Sequence, residues 1–370
     1  LTIMKFTIKR QVLLNALAKV SRAVSMKSPL PVLTGIKFDL ESDGLVLTGS
    51  DSDIVIQTKV TKDINIKETG SVVLSSRYIF DIIKKINADE VLIYIADGSL
   101  TCIEATGSYF NLNGTPAFDY PRVDLNKKGI HLTINSLKIK DLIEKTAFAT
   151  SESETRPVLT GVNFKVDGNL LTCIATDSYR LAQTKTSLEE ESSFNVIIPK
   201  KSLIELSRII EKDEVIDLYV SDRKVLFIVD DYIILSRLID GTFPDTSRLI
   251  ADQYEYELSV SSEDILGAID RATLLADAEK SIVTLNMSAD KVLLTSSSQE
   301  IGSVEEDLNK AFFKGDNLEI SFSGRYLNDA IRSVNTKTVK LQFSGSMKPF
   351  IVKDMESDNN IQVVLPVRTF

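Results

Sequence analysis

The sequence contains no tryptophan and only one histidine, His131. A single imidazole nearly excludes Ser-His-Asp and Cys-His catalytic arrangements, and we expect His131 to be a surface residue between domains. The two cysteines, Cys102 and Cys173, lack metal-ligand spacing, so we expect small buried side chains on strands. No two glycines stand two positions apart, which excludes a G-x-G nucleotide fingerprint. These absences predict a protein without catalytic residues, bound metal or cofactor.

Long hydrophobic runs and an excess of basic residues are also missing. No apolar stretch reaches about 18 residues, so we expect no membrane span. The N-terminus lacks the apolar segment of a secretory signal; we expect Met4 to be the natural start and Leu1–Ile3 a remnant. A count of only two cysteines suits a reducing cytoplasm, where we expect the protein to be. The net charge of −9 argues, on its face, against a nucleic-acid-binding protein.

What the chain does contain is an internal repeat. The letters PVLTG occupy residues 31–35 and again residues 157–161, 126 positions later. The same spacing relates three longer segments: FTIKRQVLLNALAKV from Phe6, LTINSLKIKDLIEKT from Leu132 and LSVSSEDILGAIDRA from Leu258. Each segment has a short alternating strand followed by apolar residues at helical spacing. Repeats of this length are whole domains and not the short units of a solenoid.

A second strand–helix unit also occurs three times. Its copies are VLSSRYIFDIIKKI at 73–86, IIPKKSLIELSRII at 197–210 and EISFSGRYLNDAIRSV at 319–334. Runs typical of strands, such as VLIYIAD, fill much of the remaining sequence. We therefore predict an α+β fold of three related domains joined by linkers that proline stiffens. The predicted domains span residues 4–126, 130–249 and 250–370, and the linkers span 114–129 and 241–252.

Basic residues occupy equivalent positions in the three repeats. On the second helices they are Arg77, Lys201 and Arg325, and then Lys84, Arg208 and Arg332; on the first helices they are Lys19, Lys145 and Arg271. One interpretation is ordinary solvated helix surface. The other is a segregated positive field that binds a polyanion although the chain is acidic overall. Phosphate contacts of this kind hold a nucleic acid without reading its sequence.

The acidic pair Asp51 and Asp53 leaves two interpretations open. Two carboxylates so close together could belong to a metal site. The aligned positions of the second repeat are Asp177 and Tyr179, and a tyrosine is a poor substitute for a ligand carboxylate. We therefore favour turn residues at the end of a strand.

Five motifs give the chain a resemblance to a known family. They are MKFTI at 4–8, SPLPVLTGI at 28–36, ATDSYRLA at 175–182, DGTFPD at 240–245 and VVLPVR at 363–368. In this order and at these separations, the sequence from Met4 to Phe370 resembles the bacterial sliding clamps, the beta subunits of DNA polymerase III. The resemblance implies a non-catalytic processivity factor for DNA replication, which encircles duplex DNA without sequence specificity.

The family's architecture implies where DNA and a second copy would bind. Three DNA-clamp domains per chain and a head-to-tail homodimer would form a six-domain ring, with helices inside and sheets outside. DNA would contact the cations named above and Lys27, beside the SPLP turn. A dimer interface would use Phe110 and Leu112, which alternate on a predicted edge strand, with Leu274 and Leu275. Ordinary core packing is the alternative for these four side chains.

The C-terminal letters NIQVVLPVRTF, residues 360–370, predict a docked last strand that breaks at Pro366. In the family, this tail borders a groove between domains 2 and 3, where partners insert a short motif with Gln and bulky apolar residues. The resemblance implies a lining of Arg156, Leu159, Thr176, Ser178, Tyr179, Arg180, Leu181, Pro244, Leu249, Tyr326, Met347, Val364, Leu365, Pro366, Val367 and Arg368. Surface ion pairing is the alternative for the three arginines, and a plain core strand is the alternative for the tail.

The resemblance also implies the partners. They are double-stranded DNA, the replicative polymerase alpha subunit, the clamp loader, translesion polymerases, mismatch-repair proteins and a second copy of the chain. Two rival functions stay open on the sequence alone. One is a three-domain scaffold that binds proteins without encircling DNA, and the other is an enzyme of unknown type.

Overall fold

The computed structural model describes residues 4–276 and 281–368. The expectations about Leu1–Ile3 and about the chain end at Phe370 therefore lie outside the described residues. Within this part of the chain no helix is long and apolar enough to cross a membrane, since the longest have 11 residues. The helices are α1 (Arg10–Val20), α2 (Ser76–Lys85), α3 (Ser136–Thr146), α4 (Lys200–Ile209), α5 (Ser262–Ala272) and α6 (Gly324–Val334).

The helices confirm the internal repeat. Helices α1, α3 and α5 begin at residues 10, 136 and 262, always 126 apart, and α2, α4 and α6 begin at 76, 200 and 324, always 124 apart. The apolar stripes at helical spacing are buried, as expected for amphipathic helices that pack that face on a core. The buried stripe residues include Leu13, Leu17 and Val20, then Ile139 and Ile143, then Ile265 and Ile269, and on the second helices Ile79, Ile83, Leu327, Ala330 and Ile331.

Most other ordered segments are short strands with alternating burial. In the first repeat they are β1 (Lys5–Lys9), β2 (Gly35–Glu41), β3 (Gly44–Ser50), β4 (Ile54–Val60), β5 (Ile64–Glu68), β6 (Gly70–Ser75), β7 (Glu90–Asp97), β8 (Leu100–Ala105) and β9 (Ser108–Asn113). In the second they are β10 (Ile130–Asn135), β11 (Gly161–Thr176), β12 (Arg180–Pro199), β13 (Val215–Val220), β14 (Lys224–Val229) and β15 (Tyr232–Arg237). In the third they are β16 (Tyr256–Ser261), β17 (Ile282–Met287), β18 (Val292–Ser298), β19 (Gly302–Asp307), β20 (Phe312–Lys314), β21 (Leu318–Ser323), β22 (Thr338–Phe343), β23 (Phe350–Asp354) and β24 (Asn360–Val364).

Two of the sheets run across repeat boundaries. An eight-stranded sheet has the order β10-β13-β14-β15-β4-β3-β2-β6 and so joins the second repeat to the first. A seven-stranded sheet, β11-β12-β24-β23-β22-β16-β20, joins the second repeat to the third. Both joints are antiparallel strand pairs, β4 with β15 and β12 with β24. The backbone hydrogen bonds of one sheet thus hold two neighbouring repeats together.

The second repeat is therefore divided between two compact units. One comprises residues 1–137 and 201–238, and the other comprises residues 138–200 and 239–370. The strands of the second repeat explain this division, because β10, β13, β14 and β15 belong to one shared sheet and β11 and β12 to the other. Each joint between neighbouring repeats therefore lies inside one unit.

Two further sheets end in strands without a neighbour on one side. The five-stranded sheet β5-β1-β7-β8-β9 ends at β9, and the four-stranded sheet β19-β18-β17-β21 ends at β19. The prediction that Phe110 and Leu112 lie on an edge strand is confirmed. Phe110 and Leu112 are half-buried on one face of β9, and Tyr109, Asn111 and Asn113 between and beyond them are exposed.

Three residues singled out by their rarity take the expected places. Cys102 on β8 and Cys173 on β11 are free thiols, each at most 1% exposed, as predicted for buried side chains on strands. Burial raises the pKa of the Cys173 thiol well above its usual value. His131 lies exposed on β10, stacked on the Tyr219 ring at 4.5 Å and 2.6 Å from a carboxylate oxygen of Asp217.

Candidate functional site

A tight turn between β11 and β12 carries several of the predicted groove residues. Oδ1 of Asp177 accepts hydrogen bonds from the backbone N–H groups of Tyr179 and Arg180, at 2.9 and 3.0 Å. The Thr176 hydroxyl accepts from the N–H of Ser178 at 3.2 Å and donates to the carbonyl of Arg180 at 2.6 Å. Ser178 has a φ of 77°, which few non-glycine residues adopt. The buried Thr176 therefore helps to form the turn and is not an exposed lining residue.

The first repeat has the same turn between β3 and β4. Oδ1 of Asp51 accepts from the N–H groups of Asp53 and Ile54 at 3.0 and 2.9 Å, and Ser52 has a φ of 86°. This geometry confirms that Asp51 and Asp53 are turn residues at the end of a strand. In residues 4–276 and 281–368, no group of three or more His, Cys, Asp or Glu side chains is placed to hold a metal ion.

Arg180 is only 7% exposed, although the sequence left a surface ion pair open for it. Its Nε donates to Oδ2 of Asp177 at 3.1 Å, and its Nη1 donates to Oδ2 of Asp329 at 2.5 Å. Its Nη2 donates to the carbonyl of Phe148 at 2.8 Å, and the Tyr326 ring lies 4.6 Å from Cζ. Because a buried charge needs such partners, Arg180 ties the β11–β12 turn to α6 and to the loop after α3.

The C-terminal segment is a docked strand, as predicted. Strand β24 pairs with β23 on one side and with β12 on the other. After β24 the ladder ends near Pro366, and the next backbone groups find separate partners. The N–H of Leu365 donates to the carbonyl of Tyr179 at 3.1 Å, and the N–H of Val367 donates to the carbonyl of Ser321 at 2.7 Å. The tail is thus held between the β11–β12 turn and β21.

An apolar cluster lies beside the tail and mixes buried with partly buried side chains. The buried members are Leu181, Ile351, Ile361 and Val363, and the partly buried members are Ile174, Leu249, Ile250, Tyr254 and Leu365. Three of the four predicted pocket leucines thus meet here. The fourth, Leu159, is 2% exposed and does not belong to this cluster. Val364 points into the core of the third repeat, so it supports the tail from behind instead of lining a surface.

Several of the other predicted lining residues are exposed. Tyr179 is 64% exposed and Met347 is 51% exposed. Arg156 is exposed and its Nη1 donates to the hydroxyl of Ser178 at 3.2 Å, whereas Arg368 is exposed at the end of the tail. An apolar floor with a few polar groups at its rim is the usual chemistry of a peptide or small-ligand site.

The loop before the turn at Ser247–Leu249 supplies two more predicted residues. Pro244 and Leu249 are both half-buried. Between them, a carboxylate oxygen of Asp245 accepts from the N–H of Ser247 at 3.0 Å, and this bond lowers the pKa of Asp245. The ionised Asp245 therefore holds the loop that presents Leu249 to the apolar cluster.

Sequence reasoning missed Asp329 and Phe148, the two partners of Arg180 that lie outside the resemblance motifs. A signal was present, because Asp329 is the repeat equivalent of Glu205, 124 residues earlier. Glu205 also faces cations, Arg208 at 2.8 Å and Arg22 at 3.4 Å. All three repeats carry a carboxylate at this helix position, since Asp81 precedes Glu205 by 124 residues, and at both joints inside the chain that carboxylate faces a cation.

Half of the ten predicted DNA-facing cations form ion pairs. The pairs are Lys19 with Glu211, Lys145 with Asp141, Lys201 with Asp51, Arg208 with Glu205 and Arg271 with Glu306. All three predicted cations of the first helices are among these five. Lys19 is also half-buried, with its Nζ 4.7 Å from the centre of the Tyr232 ring. These cations are therefore partly neutralised before any ligand binds.

The other five cations are exposed and, within the described residues, form no ion pair. They are Lys27, Arg77, Lys84, Arg325 and Arg332. Nε of Arg332 donates to the side-chain oxygen of Asn328 at 2.7 Å, which leaves its charge uncompensated. Four of the five lie on α2 and α6, so the second helices carry most of the available positive charge.

The predicted dimer residues divide between the two unpaired edges. Phe110 and Leu112 lie on β9, as described above. Leu274 is 75% exposed and Leu275 is half-buried in the short turn after α5, which packs beside β18 and β19.

Comparison with known proteins agrees with this geometry over the whole chain. Three family models of the DNA polymerase III beta subunit match in order: the N-terminal domain at residues 4–124, the central domain at 133–245 and the C-terminal domain at 247–368. The beta sliding clamp of Staphylococcus epidermidis is 42% identical, over 99% of this chain and 100% of that protein.

Solved structures agree as well. The DNA polymerase sliding clamp of Bacillus subtilis has a TM-score of 0.96 at 39% identity and covers 99% of this chain and 100% of that one. A sliding clamp of Pseudomonas aeruginosa, solved bound to griselimycin, has a TM-score of 0.94 at 27% identity, with the same coverage. The chain therefore belongs to the DNA polymerase III beta subunit family, the bacterial sliding clamps, and its three repeats are three clamp domains.

Proposed function

We propose that this chain closes into a ring around duplex DNA and tethers the replicative polymerase to it as a processivity factor. The observation that carries the proposal is the sharing of sheets between neighbouring repeats. Repeats joined edge to edge leave one open edge at each end, which are β9 and β19 here. Two copies joined head to tail at these edges form a six-domain ring, with helices inside and sheets outside. A clamp is an accessory subunit of the polymerase and not an enzyme.

The repeat pattern supports clamp domains at residues 4–126, 130–249 and 250–370. The first linker, from residue 114 to 129, contains the short turn Ala117–Asp119 and then an irregular segment up to β10. The second, from 241 to 252, contains the turn Ser247–Leu249. Because shared sheets hold the repeats together, we expect these linkers to be ordered connections and not hinges.

The two joints inside the chain supply the register of the proposed joint between copies. At the first, Ile56 lies opposite Ile234, and each is the third residue of its strand. At the second, Ala182 lies opposite Gln362, and again each is the third residue of its strand. Both joints therefore follow one rule: the third residues of the two paired strands lie opposite each other.

Applied to the open edges, the rule places the third residue of β19, Val304, opposite the third residue of β9, Phe110 of the partner subunit. Leu274 is the repeat equivalent of Phe148, and Tyr78 is the equivalent of Tyr326. At the joint between the second and third repeats, the rings of Phe148 and Tyr326 both pack on Arg180. We expect the exposed Leu274 and the 57% exposed Tyr78 of the partner subunit to cover each other in the same way.

Duplex DNA would thread the ring and meet the exposed cations of the second helices. Arg77, Lys84, Arg325 and Arg332 have no carboxylate partner among the described residues, so they are ready to contact phosphate. Two copies of the ring-forming chain double this set. Because enclosure and not affinity retains the DNA, few phosphates need to be neutralised strongly. This explains how a chain with a net charge of −9 can hold DNA.

The DNA proposal is tested by comparing open and closed substrates. On a short linear duplex, we expect weak binding whose affinity falls steeply with salt. When the clamp has been loaded onto a nicked circular plasmid, we expect it to stay bound at the same salt concentration. We expect it to leave the DNA when the plasmid is linearised. Tight, salt-insensitive binding to the short linear duplex would contradict a topological mechanism and favour a scaffold that does not encircle DNA.

The apolar cluster beside the tail is the proposed site for partner peptides. Its apolar members include Leu181, Leu249 and Leu365, and we expect the exposed Tyr179 and Met347 to form part of its rim. This chemistry supports a short motif with bulky apolar residues and a Gln that bonds to the polar rim. A related clamp was solved bound to griselimycin, so a protein of this fold can take a ligand other than DNA.

The partners that would supply such peptides are those of a replication clamp. We propose the polymerase alpha subunit and the clamp loader, and, at the same site, translesion polymerases and mismatch-repair proteins. Since all of these act on the chromosome, we propose that the protein works in the cytoplasm.

The peptide site is tested by removing the tail. Deletion of residues 365–370 should leave the fold intact, because β24 and both of its ladders remain, but should abolish binding of a labelled peptide that carries the motif. Deletion of residues 369–370 alone is the matched control and should bind normally. A folded protein without residues 365–370 that still binds the peptide normally would refute the role of the tail.

A further inference from the structure

The guanidinium of Arg180 is buried and bonded within the protein. Each of its three side-chain nitrogens already donates to a protein oxygen, in Asp177, Asp329 and Phe148. The Tyr326 and Phe148 rings lie 4.6 and 5.2 Å from the guanidinium carbon, and the residue is 7% exposed. A peptide in the proposed groove would therefore meet the turn that carries Arg180, and not its guanidinium.

The turn, the tail and α6 form a closed circuit through this arginine. The carbonyl of Tyr179, one residue before Arg180, holds the N–H of Leu365 in the tail. Two residues further on, the N–H of Val367 donates to Ser321 on β21, the strand that leads directly into α6. In α6, Asp329 accepts a hydrogen bond from Nη1 of Arg180, and this bond closes the circuit. Beyond the ladder of β12 with β24, which ends at Arg180 and Val364, the tail is held only by these few backbone contacts, so a loosened turn or helix would loosen the tail.

The equivalent place at the first joint shows that this arrangement is not a requirement of the clamp fold. There, Ile54 occupies the position of Arg180, and Arg22 occupies the position of Phe148. The carboxylate equivalent to Asp329 is Glu205, which is neutralised by Arg22 and Arg208 instead. The fold thus needs a cation for this carboxylate but does not need it to come from the turn. Only at the second joint does the cation come from the residue that also builds the proposed peptide site.

We propose that Arg180 is a positioning residue, which sets peptide affinity by locking the β11–β12 turn and the tail to α6. The inference deepens the proposed peptide-binding function and rests on it. It assigns a role to Asp329, which lines a cleft of about 390 Å³ with Lys145, Phe148 and Arg332 and is not a lining residue of the groove. A residue outside the groove therefore controls the affinity of the groove.

The experiment compares Asp329→Asn with Glu144→Gln, both on full-length protein. Glu144 lines the same cleft but makes no contact with Arg180, so it is a matched control for loss of one carboxylate. The probe is a fluorescent peptide with one Gln and two bulky apolar residues, titrated by anisotropy. We expect Asp329→Asn to weaken binding about tenfold, because a charge-assisted hydrogen bond is lost. Glu144→Gln should stay within about twofold of the wild type.

A second readout separates positioning from loss of fold. Amide hydrogen exchange at Leu365 and Val367 should be faster in Asp329→Asn, while exchange in the core strand β22 should not change. Arg180→Lys keeps the charge but cannot donate in three directions, so it should weaken the peptide to a similar extent. The double variant should be no weaker than either single one, since both break one circuit. Should Asp329→Asn fail to fold, Asp329→Glu allows the same measurements.

The outcomes are distinct. If Asp329→Asn binds the peptide as tightly as the wild type while Arg180→Lys does not, Arg180 contacts the peptide itself and the positioning role is overturned. If exchange at Leu365 and Val367 is unchanged, the circuit does not hold the tail and the inference is also overturned. If the wild type does not bind the peptide at all, the proposed peptide site is wrong, and the inference falls with it.

Discussion

The chain contains two joints, one between the first and second repeats and one between the second and third. The two joints share the same backbone pairing but differ in the side chains around it. Each is an antiparallel strand pair with the third residues of both strands opposite each other. Around this shared ladder the side chains differ. At the first joint, Lys19 reaches Glu211 at 3.0 Å and lies over the Tyr232 ring. The backbone ladder is thus the constant part of the repeat, and the helix contacts are the variable part.

At the second joint two of the equivalent positions carry smaller side chains. Lys145 keeps the lysine of Lys19, but Asn335 and Asn360 replace Glu211 and Tyr232. Gln362 is 1% exposed and donates to the carbonyl of Lys145 at 3.2 Å, which supplies a polar contact where the first joint has apolar packing. A cleft of about 390 Å³ lies beside α6 at this joint, and Asn335 is among the residues that line it. The second joint therefore depends on polar links such as Arg180, and we propose that this is the joint that binds partners.

The largest expected effect concerns the third joint, which forms only between copies. Leu274→Ala with Leu275→Ala removes the side chains that we expect to meet the partner subunit. Because buried apolar anchors dominate such interfaces, we expect a monomer at micromolar concentration in sedimentation velocity. Lys310→Ala, on the same domain but outside the strands and the turn, is the control. An unchanged mass for the double variant would show that these leucines do not form the interface.

The next largest effect separates the two internal joints. Arg180→Ala leaves the Asp177 and Asp329 carboxylates without their cation, which should cost about 3 kcal/mol of unfolding free energy and abolish peptide binding. Ile54→Ala, at the equivalent position, creates a cavity of similar cost, about 2–3 kcal/mol, but should leave peptide binding unchanged. Urea unfolding and peptide titration measure the two effects. Equal loss of peptide binding in both variants would erase the proposed distinction between the joints.

A smaller effect concerns the two sets of helix cations. Arg325→Ala with Arg332→Ala should reduce the slope of log affinity against log salt for DNA by about 2, because two phosphate contacts are lost. Lys145→Ala with Arg271→Ala should change the slope much less, since both cations are already paired with carboxylates. Fluorescence titrations with a short duplex at several salt concentrations give both slopes. A larger change of slope for Lys145→Ala with Arg271→Ala would contradict the proposal that the unpaired cations make the phosphate contacts.

The smallest effect is a pH dependence at the first joint. Burial and the nearby Glu211 raise the pKa of Tyr232 to about 12, above the ordinary value near 10. The folded state thus favours the neutral phenol, and this stabilisation is complete below pH 10 and is lost as the pH rises through 12. Tyr232→Phe should flatten the fall in unfolding free energy over this range. A wild-type curve that matches the variant would contradict a buried phenol at this joint.

The fold was predictable to an unusual extent because the repeat is visible in the sequence. Two spacings, 126 and 124, placed all six described helices, and burial of Ile79, Leu327 and Ile331 follows from helical periodicity. The sequence did not reveal that the second repeat contributes strands to two sheets. That depends on pairings between strands far apart in the chain, such as β12 with β24, which local patterns do not encode.

The candidate site was predictable only in part. The resemblance indicated the tail and the β11–β12 turn, but it could not distinguish a lining residue from a supporting one. Thr176, Arg180 and Val364 are buried, and their side chains hold the turn or fill a core. Asp329 and Phe148 were missed, because each acquires its role through a contact with Arg180 and not through a motif of its own.

The most direct test of the ring is a disulfide at the proposed joint between copies. The rule of third residues places Glu305 opposite Tyr109 of the partner subunit, on the face away from the helices. In a Cys102→Ser background, which prevents pairing inside the chain, Tyr109→Cys with Glu305→Cys should give a covalent dimer on mild oxidation. Asn113→Cys with Glu305→Cys, four residues out of register, should stay monomeric on a non-reducing gel. A covalent dimer from the second pair and none from the first would contradict the register, and none from either would contradict closure through β9 and β19.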